Sequence, residues 1–209
     1  MDIIIEKKPI YYPTAIAYMQ ERVNQILSKS GQELLWFLEH ESVYTYGASY
    51  QNQLSCIDDV PVIPSSRGGK LTYHGPGQQI IYLLLDLKRR KACDIHQYIN
   101  SLEMCIIDIL HALGIEGIQH QEHRGVWVYD SNHNLNKIAA IGIKISRWIT
   151  YHGVAINIKN ALMKYYSNIS PCGIKELGVT SLENLGINIE SQKIRDLIVS
   201  KFRKNFYCA

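Results

Sequence analysis

Two side chains stand in settings that suit chemistry. Cys172 sits in Ser170-Pro171-Cys172-Gly173-Ile174, where Pro and Gly hold a thiol at a turn open to solvent. Lys137 stands 35 positions earlier and opens the apolar run Lys137-Ile138-Ala139-Ala140-Ile141-Gly142, where an ammonium is partly desolvated. A cysteine attacks as its thiolate, and a neighbouring cation lowers the pKa that sets the thiolate fraction. Brought together in space, the two make a nucleophile and its base. Each also has an ordinary reading: a buried inert thiol for Cys172, and a solvated strand-start residue for Lys137. Lys144 competes for the role of base. Its odd separation from Lys137 along an alternating strand places it on the opposite face.

A second segment, Arg67-Gly68-Gly69-Lys70-Leu71-Thr72-Tyr73-His74-Gly75-Pro76-Gly77-Gln78, holds four glycines and a proline in twelve residues. Glycine lets the backbone approach a ligand with no Cβ in the way, while Arg67 and His74 supply polar atoms. The cluster reads as a ligand-binding loop. It lacks the Gly-x-x-x-x-Gly-Lys-Ser/Thr spacing of a phosphate loop. The tetrapeptide Thr-Tyr-His-Gly occurs at 72–75 and again at 150–153, without matching flanks. His74, His152 and Cys172 are a conceivable metal set. Zinc sites pair their ligands closely, with further thiolates or a carboxylate, and no such pairing is present. No metal and no cofactor are expected.

The elements that must hold these residues follow from periodicity. Pro13 to Lys29 predicts a helix with Ala15, Ile16, Tyr18, Met19, Val23, Ile26 and Leu27 on one stripe, stopped by Gly31. Glu33 to Glu39 and Ser42 to Tyr46 predict strands, and Ile80 to Leu85 a buried one. Asp94 and Gln97 predict a capping box, opening a helix that runs to Gly114. Gly125 to Tyr129 and Lys137 to Ile145 predict a hairpin across a polar turn, followed by a strand over Thr150 to Ile158. A last helix covers Ser191 to Lys204, with Ile194, Leu197, Ile198 and Phe202 inward. No linker interrupts the pattern. The expectation is a single α/β (α+β) domain over residues 1–209, with a mixed or largely antiparallel sheet packed with helices.

Composition narrows the functional classes. The chain has 209 residues, 46% hydrophobic and 20% charged, as ordinary globular proteins do. A formal net charge of +3 is too mild to argue for nucleic acid. The apolar run Ile80 to Leu85 is far too short to span a bilayer, and Met1 to Lys8 interleaves charges where a signal peptide needs an apolar core. Five cysteines, Cys56, Cys93, Cys105, Cys172 and Cys208, form no Cys-x-x-Cys pair and read as reduced thiols. A cytoplasmic protein that binds neither nucleic acid nor membrane is expected. Lys88-Arg89-Arg90-Lys91 is a candidate docking surface for an acidic partner.

Three blocks resemble the octanoyltransferases of lipoate synthesis. They are Arg67-Gly-Gly…Thr72-Tyr-His-Gly-Pro-Gly-Gln78, then Gly125-Val-Trp-Val128…Lys137-Ile-Ala-Ala-Ile-Gly142…His152-Gly-Val-Ala155-Ile-Asn157, then Pro171-Cys-Gly173…Thr180-Ser-Leu182. Ser65-Ser66 departs from the pattern, since an acidic residue often precedes the Arg in this family. The resemblance implies the catalytic fold shared by biotin and lipoate protein ligases. It implies transfer of an octanoyl group from octanoyl-acyl carrier protein to a lysine of lipoyl domains, those of 2-oxoacid dehydrogenase complexes and the glycine cleavage H protein. It makes Cys172 the acyl-thioester nucleophile and Lys137 the residue that activates it. It places Arg67, Gly68, Gly69, Lys70, Leu71, Thr72, Tyr73 and His74, with Ala140, Ile141, Gly142, Gly153, Val154 and Ala155, around the acyl group. The residues themselves leave two other readings open: an ATP-dependent lipoate or biotin ligase, which forms an acyl-adenylate and needs no cysteine, and a non-catalytic acyl-binding module.

Overall fold

The computed structural model describes residues 1–47, 54–167, 169, 178–188 and 190–207. Cys172, its Pro171 and Gly173 neighbours, and Cys208 lie outside the described residues. In chain order the strands are β1 (Asp2–Ile5), β2 (Leu34–Leu38), β3 (Val43–Tyr46), β4 (Cys56–Ile57), β5 (Val60–Pro64), β6 (Thr72–His74), β7 (Gln78–Leu84), β8 (Ile118–Gln119), β9 (Val126–Tyr129), β10 (Leu135–Ser146), β11 (Ile149–Asn157) and β12 (Gly178–Val179). The helices are α1 (Tyr12–Leu27), α2 (Ile95–Ala112), a single turn α3 (Met163–Tyr166) and α4 (Ser191–Phe206).

The larger sheet runs β1-β2-β7-β11-β10-β9-β8, with β12 added beside β10. Its pairs are antiparallel except β1 with β2 and β10 with β12, so it is a mixed, largely antiparallel sheet. A smaller sheet, β4-β5-β3-β6, stands apart from it. The central strands β2 and β7 are buried along their whole length. Their alternation divides the core. Leu35, Phe37, Ile81 and Leu83 pack with α2 and α4 residues, including Leu102, Ile106, Ile198 and Phe202. Leu34, Trp36, Ile80 and Tyr82 pack with Ala15, Met19 and Val23 of α1. Continuous apolar runs in the sequence therefore mark strands covered on both faces.

Local signals explain most boundaries. The Asp94 side chain accepts from the Gln97 amide and caps α2, while Gly114, at φ +76°, ends it. Helix α1 stops differently from expectation. Lys29 adopts φ +60° and the Ser30 amide bonds back to the Gln25 carbonyl, so the left-handed residue comes two positions before Gly31.

The basic turn after β7 has structural work that its sequence hides. Arg90 donates through Nε and Nη2 to the Glu33 carboxylate, Nη2 at 2.7 Å, and Arg89 reaches the same group at 2.9 Å. Glu33 is buried, which alone would raise its pKa. The Arg90 hydrogen bonds and the Asp86 amide outweigh this and hold it low. The turn also abuts the β10–β11 hairpin tip, where the Leu87 amide bonds to Trp148 O. Nine strand residues, about 30 Å at 3.3 Å each, separate that end of β10 from Lys137. Two of the four cations expected to dock an acidic carrier, Arg89 and Arg90, are thus engaged by Glu33, and the turn lies remote from Lys137.

Removing Glu33 strands two cations near a buried site. Glu33→Ala should cost about 3 kcal/mol in urea unfolding, whereas Lys88→Ala and Lys91→Ala, which touch exposed residues, should stay within about 0.5 kcal/mol of wild type.

Candidate active site

A cavity of about 330 Å³ opens beside β10 and β11, within the usual range of small-molecule sites. Lys137 stands on its wall and is only 8% exposed. It gets there through a β-bulge. Lys137 pairs with Trp127 and Ala139 with Val126, so Ile138 is one residue too many. Ile138 and Ala139 consequently both turn into the core beneath α2 and α4. The extra residue reverses the alternation, and Lys137 shares a face with Ala140 and Gly142. Its ammonium lies 4.6 Å from the centroid of the Trp127 ring.

The bulge also overturns the expected placement of Lys144. With one residue inserted, an odd separation keeps the two lysines on the same face. Lys144 lies over Tyr151, 5.3 Å from its ring centroid, and is not itself among the residues that line the cavity.

Of the residues named from the sequence, Arg67, Gly68, Gly69, Lys70, Leu71, Thr72 and His74 line the cavity, as do Ala140, Ile141, Gly142, Gly153, Val154 and Ala155. Tyr73 does not. Alternation along β6 sends Thr72 and His74 inward and Tyr73 outward, where it stacks on Tyr165 at 4.1 Å and bonds to Ser42. Gly142 and Gly153 have tighter reasons than a flat wall for an alkyl chain. A Cβ on Gly142 would stand 2.8 Å from Arg67 Cδ, and one on Gly153 would stand 2.2 Å from the Ile81 carbonyl oxygen. The first lets a buried arginine cross the sheet and the second lets β7 and β11 close.

Arg67 organises the loop that it opens. Nη1 donates to Gly68 O and Lys70 O, and Nη2 to Thr45 O and Oγ1. Its buried Nε has no hydrogen-bond partner among the described residues.

One end of the cavity is polar, and its protonation states can be derived. Thr180 O accepts from Asn157 Nδ2, so Asn157 Oδ1 must face Gln78 and accept from its Nε2. Gln78 Oε1 then faces His74 and accepts from Nδ1 at 2.7 Å. His74 thus carries its proton on Nδ1 and keeps Nε2 as an acceptor. Burial, then the nearness of the His40 imidazole and the positive charge of Arg67, push its pKa well below the usual value. His40 donates from Nδ1 to Ile10 O, so Nε2 accepts from the Tyr82 hydroxyl at 2.7 Å, and burial lowers its pKa to about 4. His152 adopts φ +61° within β11, a costly conformation for a side chain of this kind. Its ring lies against Tyr82 and near Ser66 Oγ, and burial, then Arg67, lowers its pKa to about 3. Three neutral imidazoles can coexist with Arg67 because none carries charge near neutral pH.

Sequence reasoning passed over Tyr12, Tyr82, Glu122, His123, Arg124, Tyr166 and Val179, which also line the cavity. They come from elements distant in sequence. The buried Gln78 and Asn157 sit inside the quoted blocks, and two amides in otherwise apolar strands were the available signal. Among the described residues no three His, Cys, Asp or Glu are placed to hold a metal ion.

Residues 11–203 match the family model of the lipoyl protein ligase A/B catalytic domain. An octanoyltransferase of Neorickettsia sennetsu is 44% identical over 207 residues, covering 99% of this chain and 97% of the relative. The chain belongs to the octanoyltransferase family. Another member, from Bartonella tribocorum, is 45% identical and covers 94% of this chain and 83% of its own. Octanoyltransferases are acyltransferases acting in lipoylation, and this chain is one of them. The fold is shared more widely. A bipartite lipoate protein ligase of Thermoplasma acidophilum superposes with a TM-score of 0.69 at 13% identity, over 98% of this chain and 83% of that one. A lipoate-protein ligase A bound with ATP gives 0.65 at 12% identity, over 98% and 85%. Biotin protein ligase from Aquifex aeolicus gives 0.52 at 12%, over 98% and 68%. At such identities the likeness is one of fold. Among the described residues no helix is long and apolar enough to cross a membrane.

The buried histidines make stability depend on pH in a definite direction. Their folded pKa values lie below the unfolded value of about 6.5, so the unfolded chain binds more protons between the two. Stability should be complete above about pH 6.5 and fall as pH drops toward 4. By pH 4.5 His40 alone should account for about 2 kcal/mol. Urea melts of wild type and His40→Gln across pH 7 to 4.5 check this: the variant should have the shallower slope.

Proposed function

We propose that this protein transfers an octanoyl group from an acyl-carrier-protein thioester to a lysine of lipoyl domains, through a thioester on Cys172. The observation that carries the reading is the buried Lys137 on the wall of an apolar-lined cavity, beside Ala140 to Gly142 and Gly153 to Ala155. Lipoyl domains as acceptors are supported by family membership and by the described pairing of the Thermoplasma acidophilum ligase with its E2 lipoyl domain. The chain would act as one catalytic domain in the cytoplasm. There the described cysteines Cys56, Cys93 and Cys105 stay as free thiols.

The chemistry balances with two side chains. Lys137 takes the proton of Cys172, and the thiolate attacks the donor carbonyl. The C–S bond to the carrier breaks, and its thiolate leaves with the proton from Lys137. The acyl group is then on Cys172, at nearly the same energy, because one thioester has replaced another. The acceptor amine next attacks this thioester while Lys137 takes an amine proton. The C–S bond to Cys172 breaks, and its thiolate is free again as the amide forms. An amide is more stable than a thioester, which draws the sequence forward. The chain's seven saturated carbons, buried at about 0.8 kcal/mol each, give several kcal/mol of binding and a basis for length selection. Leu71, Ile80, Ile141 and Val154 supply the apolar wall.

With octanoyl-acyl carrier protein and no acceptor, intact mass should rise by one octanoyl group, removable by hydroxylamine. Cys172→Ala should take up none; an adduct on that variant would transfer the role elsewhere. Transfer should run without nucleotide, whereas a requirement for ATP and magnesium would favour the ligase chemistry.

Cys172 should also be the fastest cysteine to react with iodoacetamide near neutral pH. Lys137→Met should slow that reaction and move its midpoint up toward about 8.5, the free-thiol value. Lys144→Met should leave it in place, because Lys144 lies over Tyr151.

A further inference from the structure

We propose that Glu103 of α2 is a positioning residue for Lys137, 34 positions later in the chain. The inference rests on reading Lys137 as the base for Cys172. Glu103 interrupts the apolar stripe Ile99, Leu102, Ile106 and Leu110, and it is only 2% exposed. A carboxylate is costly to bury, and Glu103 is poorly explained as an ion pair. Its cation, Arg124, stands 3.9 Å away and is half exposed. Its short bonds go to β8 and to the residue that leads into β9. Oε1 accepts from the Gly125 amide at 3.0 Å and Oε2 from Gln119 Nε2 at 2.8 Å.

Gly125 is the joint through which this grip reaches the lysine. It has φ +116°, open in practice to glycine alone. A Cβ there would lie 2.5 Å from the Ala139 carbonyl oxygen and 3.4 Å from Lys137 Cε. The Gly125 backbone is therefore pressed against the bulge and against the lysine stem. Two residues on, Trp127 is fully buried and pinned by its indole N–H to His123 O at 3.1 Å, and its ring faces the ammonium. Glu103 thus holds, through one backbone bond, both the surface along which the Lys137 stem runs and the strand that carries the ring under its charge. The requirement is for reach and an acceptor oxygen at Gly125, and charge is secondary.

That distinction sets the test. Glu103→Asp keeps the charge and withdraws the acceptor by one methylene, while Glu103→Gln keeps the reach and loses the charge. Both are compared with Lys137→Met in the whole protein. The readouts are kcat and KM with octanoyl-acyl carrier protein, the pH midpoint of Cys172 alkylation, and urea stability. Glu103→Asp should lower kcat by about 10- to 100-fold, the scale of a 1 Å misplacement, with little change in KM. It should move the alkylation midpoint in the direction that Lys137→Met moves it. Glu103→Gln should restore both to near wild type. Loss of stability in Glu103→Asp with a wild-type midpoint would show a purely structural role and overturn the proposal. So would a Gln variant as impaired as Asp. If Lys137→Met itself leaves the midpoint in place, the base reading fails first and the positioning role fails with it.

Discussion

One surplus residue in β10 decides which way a lysine points. In a regular strand, Lys137 would alternate with Ile138 and lie on the side of Ala139, beneath α2 and α4. The bulge places Ile138 and Ala139 side by side in that core and turns Lys137 to the cavity, over Trp127. Burying two consecutive apolar residues on one face stabilises the irregularity, and Gly125 supplies the space opposite it. Bulges are a common way to re-aim a side chain next to a site. The rest of the cavity takes its orientation from this one, since Ala140 and Gly142 come to its wall by the same reversed alternation.

The cavity combines two environments that would ordinarily conflict. Along β10 and β11 its lining is aliphatic. At His74, Tyr82, His152 and Arg67 it is polar and buried. The conflict is resolved by keeping every imidazole neutral. Burial does most of this, and at His74 and His152 the positive charge of Arg67 adds to it, while the hydrogen bonds of His40 to Ile10 O and of His74 to Gln78 act the other way. A backbone carbonyl at Thr180 orients Asn157, which orients Gln78, which orients His74. Thr180 itself bonds through its amide to the Lys137 carbonyl oxygen. The two ends of the site are thereby linked through one network, and buried networks of this sort hold one arrangement only when every member is satisfied.

The scaffold explains how such a network is kept in register. Strands β2, β7 and β11 are buried on both faces, with α1 against one and α2 and α4 against the other. Register slips are costly where both faces carry specific apolar sets. Loops 66–71 and 120–125 then bring Arg67, His123 and Arg124 over this doubly covered floor.

Much of this was legible in the chain. Continuous apolar runs marked the doubly covered strands, Asp94 and Gly114 bounded α2, and the glycine-rich Arg67 segment announced a close approach of backbone to ligand. The motif blocks named the Arg67 loop and the β10–β11 wall of the cavity, though not Tyr12, Tyr82, Tyr166 or residues 122–124. Short-range information sufficed because period, caps and turn residues act over a few positions. Three things needed the tertiary structure. Tyr73 faces away because β6 pairs with β3 and presents alternate residues to different cores. Arg89 and Arg90 are committed to Glu33, more than fifty residues away, and no local pattern reveals a distant partner. Lys144 shares a face with Lys137 because a bulge depends on what lies across the strand, on Gly125 and Trp127, and alternation read along β10 alone cannot register it.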